Sequence, residues 1–273
     1  MCILRYHKDG INDAFTFFNG GATFVKQSLV GGPAIEAEEK TKLLSAVDLL
    51  EPLSLEAVER LGRRIPEVRF ERGQILYTPA HQGKLLFVLL RGQVRVYKVA
   101  KGRELTLNVV VAGETFGEAA FVARRRQGAY AQALEPSDVG LVSRDTLGNL
   151  VRDKPEVGLK AMELLGERLS FYESKMADIG LKEVPARLAS LILHLCESEG
   201  VVTAQGYVIP TGYTHQQLGS MIGAKRVAVT RAMKEFRRIG AVEPTRKQIH
   251  VKDVPALEYV AGRQPTAEER ENA

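Results

Sequence analysis

The chain has 273 residues, enough for one large domain or two modest ones that each bury a core. Apolar residues make up 45% of it and charged residues 26%, which excludes a wholly disordered or collagen-like chain. Its apolar runs are far shorter than the roughly 20 residues that a membrane span needs. Its N-terminus lacks the apolar core of a signal peptide, so we expect a cytoplasmic protein with no membrane partner.

Cysteine content and charge limit the cofactors and partners. Cys2 and Cys196 are too few for a disulfide framework, a four-thiolate zinc site or an all-Cys iron–sulfur site. No Ser-His-Asp or Cys-His arrangement stands out, so we expect no cofactor, no metal ligands, no catalytic residues and no enzyme activity. The 38 basic and 33 acidic residues leave a net charge of +5, which points to a polyanionic partner only where it is concentrated.

The N-terminal part of the chain divides into an extension and a helical stretch. Residues 1–35 combine Gly-Gly pairs with Phe-rich stretches and show no sustained helical or strand period. We therefore predict a poorly structured extension there. From Ile35 to Ile65 the apolar residues recur at helical spacing, with Ser54 as an N-cap.

A β domain is predicted next. Glycines recur at steps of 9 to 11 residues from Gly73 to Gly113, between short runs rich in Val, Leu and Tyr. Short strands at this spacing indicate an antiparallel roll or sandwich. The predicted strands are Lys84–Leu90, Gln93–Val99, Glu104–Val111, Ala129–Leu134 and Val139–Ser143. We assign residues 36–150 to this roll and its flanking helices.

A long helix follows the roll and carries a regular apolar seam. We assign residues 151–180 to it, with the helical pattern running from about Pro155 to Ile179. The seam steps by three and four residues through Met162, Leu165, Leu169, Tyr172, Met176 and Ile179. Such a seam either packs on its own domain or meets a second copy of itself. Because further apolar residues lie off the seam, we predict a parallel dimer interface.

Residues 181–261 carry the pattern of a winged helix-turn-helix. Thr214 and Gln217 form a capping box that fixes the start of the first helix. Gly219 is small enough to let a second helix approach, and Gly223 suits the left-handed turn between the helices. A wing hairpin is predicted after the second helix, and residues 262–273 are predicted to be a disordered tail.

The second helix concentrates the positive charge. Residues 224–240 hold six Lys or Arg and one acidic residue. The start of this helix is placed to read base edges. Its later basic residues are placed to neutralise phosphates, and they are Lys234, Arg237 and Arg238. The alternative is a solvated basic face. The predicted DNA-binding set is Thr214, Gln216, Gln217, Lys225, Arg226, Val227, Thr230, Arg231, Lys234 and Arg237, with Arg246 and Lys247 at the wing tip.

This order of elements resembles the cyclic-AMP receptor protein and FNR family of bacterial transcription regulators, from Leu43 to Val260. The most specific pieces are Gly113–Glu118 in the roll, Val184–Leu193, and the helix-turn-helix itself. The resemblance implies an α+β fold: an N-terminal antiparallel β-roll like a cyclic-nucleotide-binding sensor domain, a dimerisation helix and a C-terminal winged helix-turn-helix. It also implies double-stranded DNA, RNA polymerase and a second copy of the chain as partners.

Two departures from the family pattern bear on specificity. In the family the recognition helix carries Arg, Glu and Arg toward the bases; Arg226 and Arg231 match the arginines, but Val227 replaces the acid and Lys225 replaces a small N-cap residue. The effector pocket implied by the resemblance is Gly117, Glu118, Ala119, Gln127 and Gly128. In that pocket Gln127 and Gly128 stand where a phosphate-binding Arg-Ser pair would be.

Cyclic AMP control is therefore not supported by the sequence. With Gln127 and Gly128 at those positions, we expect Glu118 to face a pocket without a fixed cation. We interpret the nearby Arg124, Arg125 and Arg126 as a solvated loop. The sequence leaves three functions open. The first is a sequence-specific transcription regulator that acts as an activator. The others are a ligand-sensing module with secondary DNA binding and a regulator that needs no effector. The basic second helix favours a DNA-binding regulator.

Overall fold

The computed structural model describes residues 35–81, 83–122, 126–245 and 248–262, and the backbone of 2–7, 10–16 and 26–27. The chain forms two compact units. The first comprises Met1–Gly102 and Leu107–Ser170, and the second comprises Arg103–Thr106 and Phe171–Ala273. The α+β class, with antiparallel sheets followed by a long helix and a helix-turn-helix domain, is as predicted.

The extension differs from the prediction where it is described. Strands β1 (Cys2–His7), β2 (Gly10–Thr16) and β3 (Lys26–Gln27) pair into a small antiparallel sheet. The expectation of a poorly structured segment is wrong for these residues. The pairing of β1 with β2 shifts register between Arg5 and Tyr6, because Asn12 is an extra residue in β2, so the period of two by which a strand is recognised in sequence is broken in β2. The other residues before position 35 lie outside the described part.

Two helices precede the roll. Helix α1 (Ala37–Ser45) and helix α2 (Leu55–Gly62) are separated by a short 3₁₀ turn at Asp48–Leu50. The predicted cap of α2 is confirmed, since Ser54 Oγ accepts a hydrogen bond from the Ala57 backbone N–H. The buried side chains of these helices join those of one face of the roll in a common core.

The roll contains two four-stranded antiparallel sheets. Its strands are β4 (Glu67–Phe70), β5 (Ile75–Tyr77), β6 (Leu85–Arg91), β7 (Gln93–Ala100), β8 (Arg103–Val111), β9 (Thr115–Phe116), β10 (Tyr130–Ala133) and β11 (Ser137–Ser143). One sheet has the order β5-β10-β7-β8 and the other β4-β11-β6-β9. All five predicted strands are present, and their observed bounds differ from the predicted ones by at most two residues. Strands β4, β5 and β9 were not predicted because they are only two to four residues long.

The long helix starts at Pro155, as its apolar pattern predicted, and the assigned boundary of 151 falls in the preceding helix. Residues 151–153 belong to helix α3 (Arg144–Asp153), which is capped by Ser143 Oγ. Helix α4 (Pro155–Leu181) begins at a proline, whose missing N–H and fixed φ suit a first helical position. It ends at Leu181, one residue past the assigned boundary of 180.

The second unit holds the helix-turn-helix. Its elements are α5 (Val184–Glu199), β12 (Val201–Thr203), β13 (Gly206–Ile209), α6 (His215–Ile222), α7 (Arg226–Arg238), β14 (Val242–Pro244), β15 (Ile249–Val251) and α8 (Val254–Ala261). The strands form one antiparallel sheet in the order β12-β13-β15-β14, so the predicted wing hairpin is present. Helices α5, α6 and α7 pack on one another, and α8 packs on α5.

A polar clamp joins the end of α5 to the segment that leads into α6. Glu199 accepts hydrogen bonds from Tyr213 Oη at 2.5 Å and from Thr211 Oγ1 at 2.6 Å. Burial, reinforced by the Glu199 carboxylate, raises the pKa of the Tyr213 hydroxyl. The phenol therefore stays protonated and remains a donor to Glu199, which fixes the chain directly before the helix-turn-helix.

A close helix approach at Gly219 yields a prediction about stability. A Cβ at this position would lie 2.7 Å from the Ala224 carbonyl oxygen. We expect Gly219→Ala to lower stability by about 1–3 kcal/mol, because backbone must move to admit the methyl group. The matched control is Gly148→Ala in α3, where no atom lies within 4 Å of the added Cβ. That change should raise stability by about 0.5–1 kcal/mol through helix propensity.

Thermal unfolding of the full chain followed by circular dichroism measures both variants. If Gly219→Ala melts at the same temperature as the unmodified chain, or above it, the close approach does not constrain the fold.

Candidate nucleic-acid interface

The helix-turn-helix is fixed by the predicted capping and turn residues. Thr214 Oγ1 accepts a hydrogen bond from the Gln217 backbone N–H, and Gln217 Oε1 accepts one from the Thr214 backbone N–H. Gly223 ends α6 with φ +67°, a left-handed conformation that L side chains rarely adopt. The predicted capping box and left-handed turn are both confirmed. Together they set where α6 starts, where it stops and how α7 leaves it.

One face of α7 is buried and the rest is exposed. Val229, Ala232, Met233 and Phe236 are buried, as helical spacing requires for a core-facing stripe. The exposed residues comprise Lys225, Arg226, Val227, Arg231, Lys234 and Arg237, and Val227 is 70% exposed. The structure therefore places these members of the predicted DNA-binding set on one helix, with their side chains outside the core. Thr214 and Gln216 are also exposed, at the start of α6.

Thr230 is the member of the predicted set whose hydroxyl is already occupied. Its Oγ1 donates to the Arg226 carbonyl oxygen at 2.9 Å and lies 2.8 Å from His215 Nδ1. Since that hydroxyl has one proton, His215 satisfies the contact when Nδ1 carries its own. The Thr230 hydroxyl is thus already engaged by His215 and by the Arg226 carbonyl oxygen.

His215 was missed by the sequence reasoning. It is the first residue of α6, and its bond to Thr230 ties the start of α6 to the first turn of α7. The available signal was its position directly after the Thr214 cap. The pairing with Thr230 depends on how the two helices cross, which residue spacing within each helix does not specify.

The charge of α7 is partly neutralised at its end. Arg238 donates to both carboxylate oxygens of Glu235, from Nε at 3.0 Å and from Nη2 at 2.7 Å. This fork lowers the pKa of Glu235 and raises that of Arg238. Arg238 is thus paired within its own helix, and its contact with phosphate stays a prediction. Arg226, Arg231, Lys234 and Arg237 carry the remaining positive charge of the helix.

The wing is formed by β14 and β15. Glu243 on β14 pairs with Lys252 at 2.5 Å, which lowers the pKa of the Glu243 carboxyl. The turn between the strands is closed by Thr245 N–H, which donates to the Gln248 carbonyl oxygen at 2.8 Å. Arg246 and Lys247, predicted to contact the DNA backbone, lie outside the described residues, as does the predicted tail from position 263.

The seam of α4 is largely exposed within one chain. Val157 and Ala161 are the buried residues among the 27 of this helix, all of which are described. Tyr172 is half-buried, and the exposed seam members are Met162, Leu165, Leu169, Met176 and Ile179, at 38–71%. An apolar stripe of this length on one helix face is the pattern of a helix that pairs with another.

The roll pocket has a cation that the sequence did not reveal. Arg168 on α4 forms an ion pair with Glu118, and its Nη2 donates to the Thr115 carbonyl oxygen at 3.0 Å. The expectation that Glu118 faces no fixed cation is wrong. The partner is contributed by a helix 50 residues further along the chain, so no local motif links the two.

The other predicted pocket residues differ in their surroundings. Gln127 donates from Nε2 to the Leu85 carbonyl oxygen at 3.4 Å, and its own N–H donates to the His81 carbonyl at 2.9 Å. Gly117 has φ +87°, and a Cβ there would lie 2.7 Å from Phe87 Cδ2. Gly128 also takes a positive φ, and Ala119 is buried. Arg126 is exposed, which agrees with its interpretation as a solvated residue. Arg124 and Arg125 lie outside the described residues.

Aromatic side chains fill the roll between its sheets. Phe87 stacks on Phe116 with ring centroids 5.1 Å apart, and Tyr77 lies 5.3 Å from Phe87. All three are at most 3% exposed. Among the described residues, no group of three or more His, Cys, Asp or Glu is placed to hold a metal ion. No described helix is both long enough and apolar enough to cross a membrane.

Two parts of the chain match known families. Residues 186–260 match the Crp-like helix-turn-helix domain, and residues 67–154 match the cyclic nucleotide-binding domain. The first match contains α6, α7 and the wing. The second contains the roll from β4 to β11 together with α3.

Similar curated proteins cover most of the chain. It is 23% identical over 217 residues to a CRP-like cAMP-activated global transcriptional regulator of Mycobacterium tuberculosis, covering 79% of this chain and 97% of that protein. It is 27% identical over 204 residues to a global nitrogen regulator of Synechocystis, covering 72% and 91%.

Solved structures share the fold. A CooA mutant from Carboxydothermus hydrogenoformans has a TM-score of 0.68 at 24% identity, covering 79% of this chain and 95% of that one. The c-di-GMP responsive global regulator CLP from Xanthomonas campestris has a TM-score of 0.65 at 19% identity, covering 73% and 100%. At these identities the likeness establishes the architecture and leaves the effector open.

Proposed function

The chain belongs to the CRP/FNR family of transcription regulators, and we propose that it works as a homodimer that binds an inverted-repeat operator through α7 and activates transcription. The observation that carries this proposal is the exposed basic face of α7, on a helix whose opposite face is locked into the core by Val229 and Met233. A helix so placed fits the major groove of DNA. Action in the cytoplasm and contact with RNA polymerase belong to the same proposal, as does the absence of enzyme activity.

Specific and non-specific contacts divide along α7. Arg226 and Arg231 are near the start of the helix, where a guanidinium fork matches the O6 and N7 acceptors of guanine. Lys234 and Arg237 follow on later turns and are suited to phosphates, which position a protein without reading sequence. Val227 offers an apolar contact, so we infer that the operator differs from one read by Arg, Glu and Arg.

Dimerisation would set the operator symmetry. Two copies joined along the α4 seam place two recognition helices about one turn of DNA apart, roughly 34 Å. The exposure of Leu165, Leu169 and Met176 in a single chain supports this use of the seam.

Control by cyclic AMP is not part of the proposal. Gln127 cannot supply the charge of a phosphate-binding arginine, and Tyr77, Phe87 and Phe116 occupy the interior of the roll. The Glu118 carboxylate is already paired with Arg168. These observations favour a regulator that binds its operator without a cyclic nucleotide over a cyclic-nucleotide sensor.

The division of contacts is tested by two alanine variants. Arg231→Ala should cost about 1–3 kcal/mol in operator binding and relax the preference at one base pair. Lys234→Ala should weaken all sequences alike and reduce the slope of log K against log salt by about one. The control is Lys154→Ala, at the α3–α4 junction, which should change neither quantity. Binding isotherms on the operator and its single-base variants over a range of salt measure both effects. Identical behaviour of the Arg231 and Lys234 variants contradicts the division.

The seam is tested by placing charge on it. Leu165→Glu with Leu169→Glu should give a monomer by sedimentation and abolish operator binding, because four carboxylates would be buried at the interface. The matched control, Ser170→Glu with Ala177→Glu, adds the same charge to exposed positions of α4 off the seam and should stay dimeric. A dimeric seam variant would show that another surface joins the copies.

The effector hypothesis is tested by titration with cyclic AMP. We expect operator affinity to change by less than about threefold, a coupling below about 0.7 kcal/mol and under the usual allosteric range. Calorimetry that detects micromolar cyclic AMP binding, together with a tenfold gain in operator affinity, would establish the sensor function instead.

A further inference from the structure

A groove in the second unit combines cationic and apolar walls. It is a shallow, open groove of about 80 Å³, bounded by the end of α4, by α5 and by the end of α6. Lys175, Arg187 and Ser190 line its polar side, and Leu191, Met221 and Ile222 its apolar side. None of these residues belongs to the predicted DNA-binding set or to the predicted effector pocket in the roll.

Arg187, which lines this groove, carries a donor without an acceptor among the described residues. Its Nε is buried and has no hydrogen-bond partner in the described part of the chain. A guanidinium remains charged under all ordinary conditions, so its buried N–H retains a demand for an acceptor. A buried donor without an acceptor costs free energy, which an anionic ligand would recover.

Lys175 adds positive charge beside it. Its Nζ donates to the Thr106 carbonyl oxygen at 2.9 Å and lies 5.5 Å from the centre of the Phe171 ring. Burial lowers the pKa of this ammonium to about 8. A bound anion would favour its charged form, because opposite charges in a partly desolvated site attract more strongly than in water.

The acid at the groove is already matched. Asp178 Oδ1 pairs with Lys182 Nζ at 2.8 Å, and the same Nζ donates to Ser190 Oγ at 3.0 Å. Lys182 thus pairs with Asp178, and the other charged residues that line the groove are Lys175 and Arg187.

We propose that this groove binds a small organic carboxylate with an aliphatic tail. The carboxylate would accept hydrogen bonds from the Arg187 and Lys175 side, and the tail would lie against Leu191, Met221 and Ile222. The chemistry requires one negative charge at one end and a few methylene groups behind it. This site stands independently of the proposed DNA binding, because it is defined by residues of a different surface.

The methionines of the chain provide the readout. The full-length protein is labelled with ¹³C at its methionine methyl groups, and sodium hexanoate is titrated into it. Met221 lines the groove, whereas Met233 is buried in the helix-turn-helix core and Met162 is exposed on α4. We expect a saturable shift of the Met221 signal, with the Met233 and Met162 signals unmoved.

Matched ligands and variants isolate the role of charge. 1-Hexanol, which has the tail without the charge, should bind at least tenfold more weakly than hexanoate. Arg187→Gln should weaken hexanoate binding at least tenfold, and Lys252→Gln, which removes a cation on the wing, should leave it unchanged. An unchanged Met233 signal in each variant shows that the domain is folded.

Three results would overturn the proposal. They are equal binding of hexanol and hexanoate, full hexanoate affinity in folded Arg187→Gln, and no saturable Met221 shift at millimolar hexanoate. The comparison of hexanol with hexanoate uses the unmodified chain, so it remains decisive if a variant does not fold.

Discussion

The close packing of α7 on α6 at Gly219 is the constraint from which the functional surface of this protein follows. Because Gly219 has no Cβ, the Ala224 carbonyl oxygen lies closer to the Gly219 backbone than any other residue type would permit. Helix α7 begins two residues after Ala224, at Arg226. That position buries Val229 and Met233 against α5 and α6. Because a helix has one inward stripe, fixing that stripe also fixes where Arg226 and Arg231 point. The basic surface is therefore a consequence of apolar packing, and the charges themselves contribute little to holding the helix in place.

The two units differ in what their side chains do. In the second unit, caps and glycines fix the helices, and the charged side chains of α7 remain exposed. In the roll, Phe87 and Phe116 fill the interior, and Glu118 is held by Arg168 from α4. The cationic groove near Arg187 lies elsewhere, which separates the question of a small-molecule ligand from the cyclic-nucleotide pocket of the family.

Local signals in the sequence were sufficient for much of this architecture. The capping box at Thr214, the left-handed Gly223 and the basic run of α7 each depend on neighbours a few residues apart, so spacing alone predicted them. Contacts between distant segments could not be predicted in this way. Arg168 reaches Glu118 across 50 residues, and His215 reaches Thr230 only because two helices cross. The strand β2 was missed for a third reason, since the extra residue Asn12 breaks its alternation.

Whether α7 reads DNA as one half of a symmetric pair is decided by selecting bound sequences from a random pool of duplexes. The full chain, without added nucleotide, should enrich inverted repeats whose half-site centres lie about 10 base pairs apart. Enrichment of single asymmetric sites, or no enrichment over the starting pool, would contradict the account.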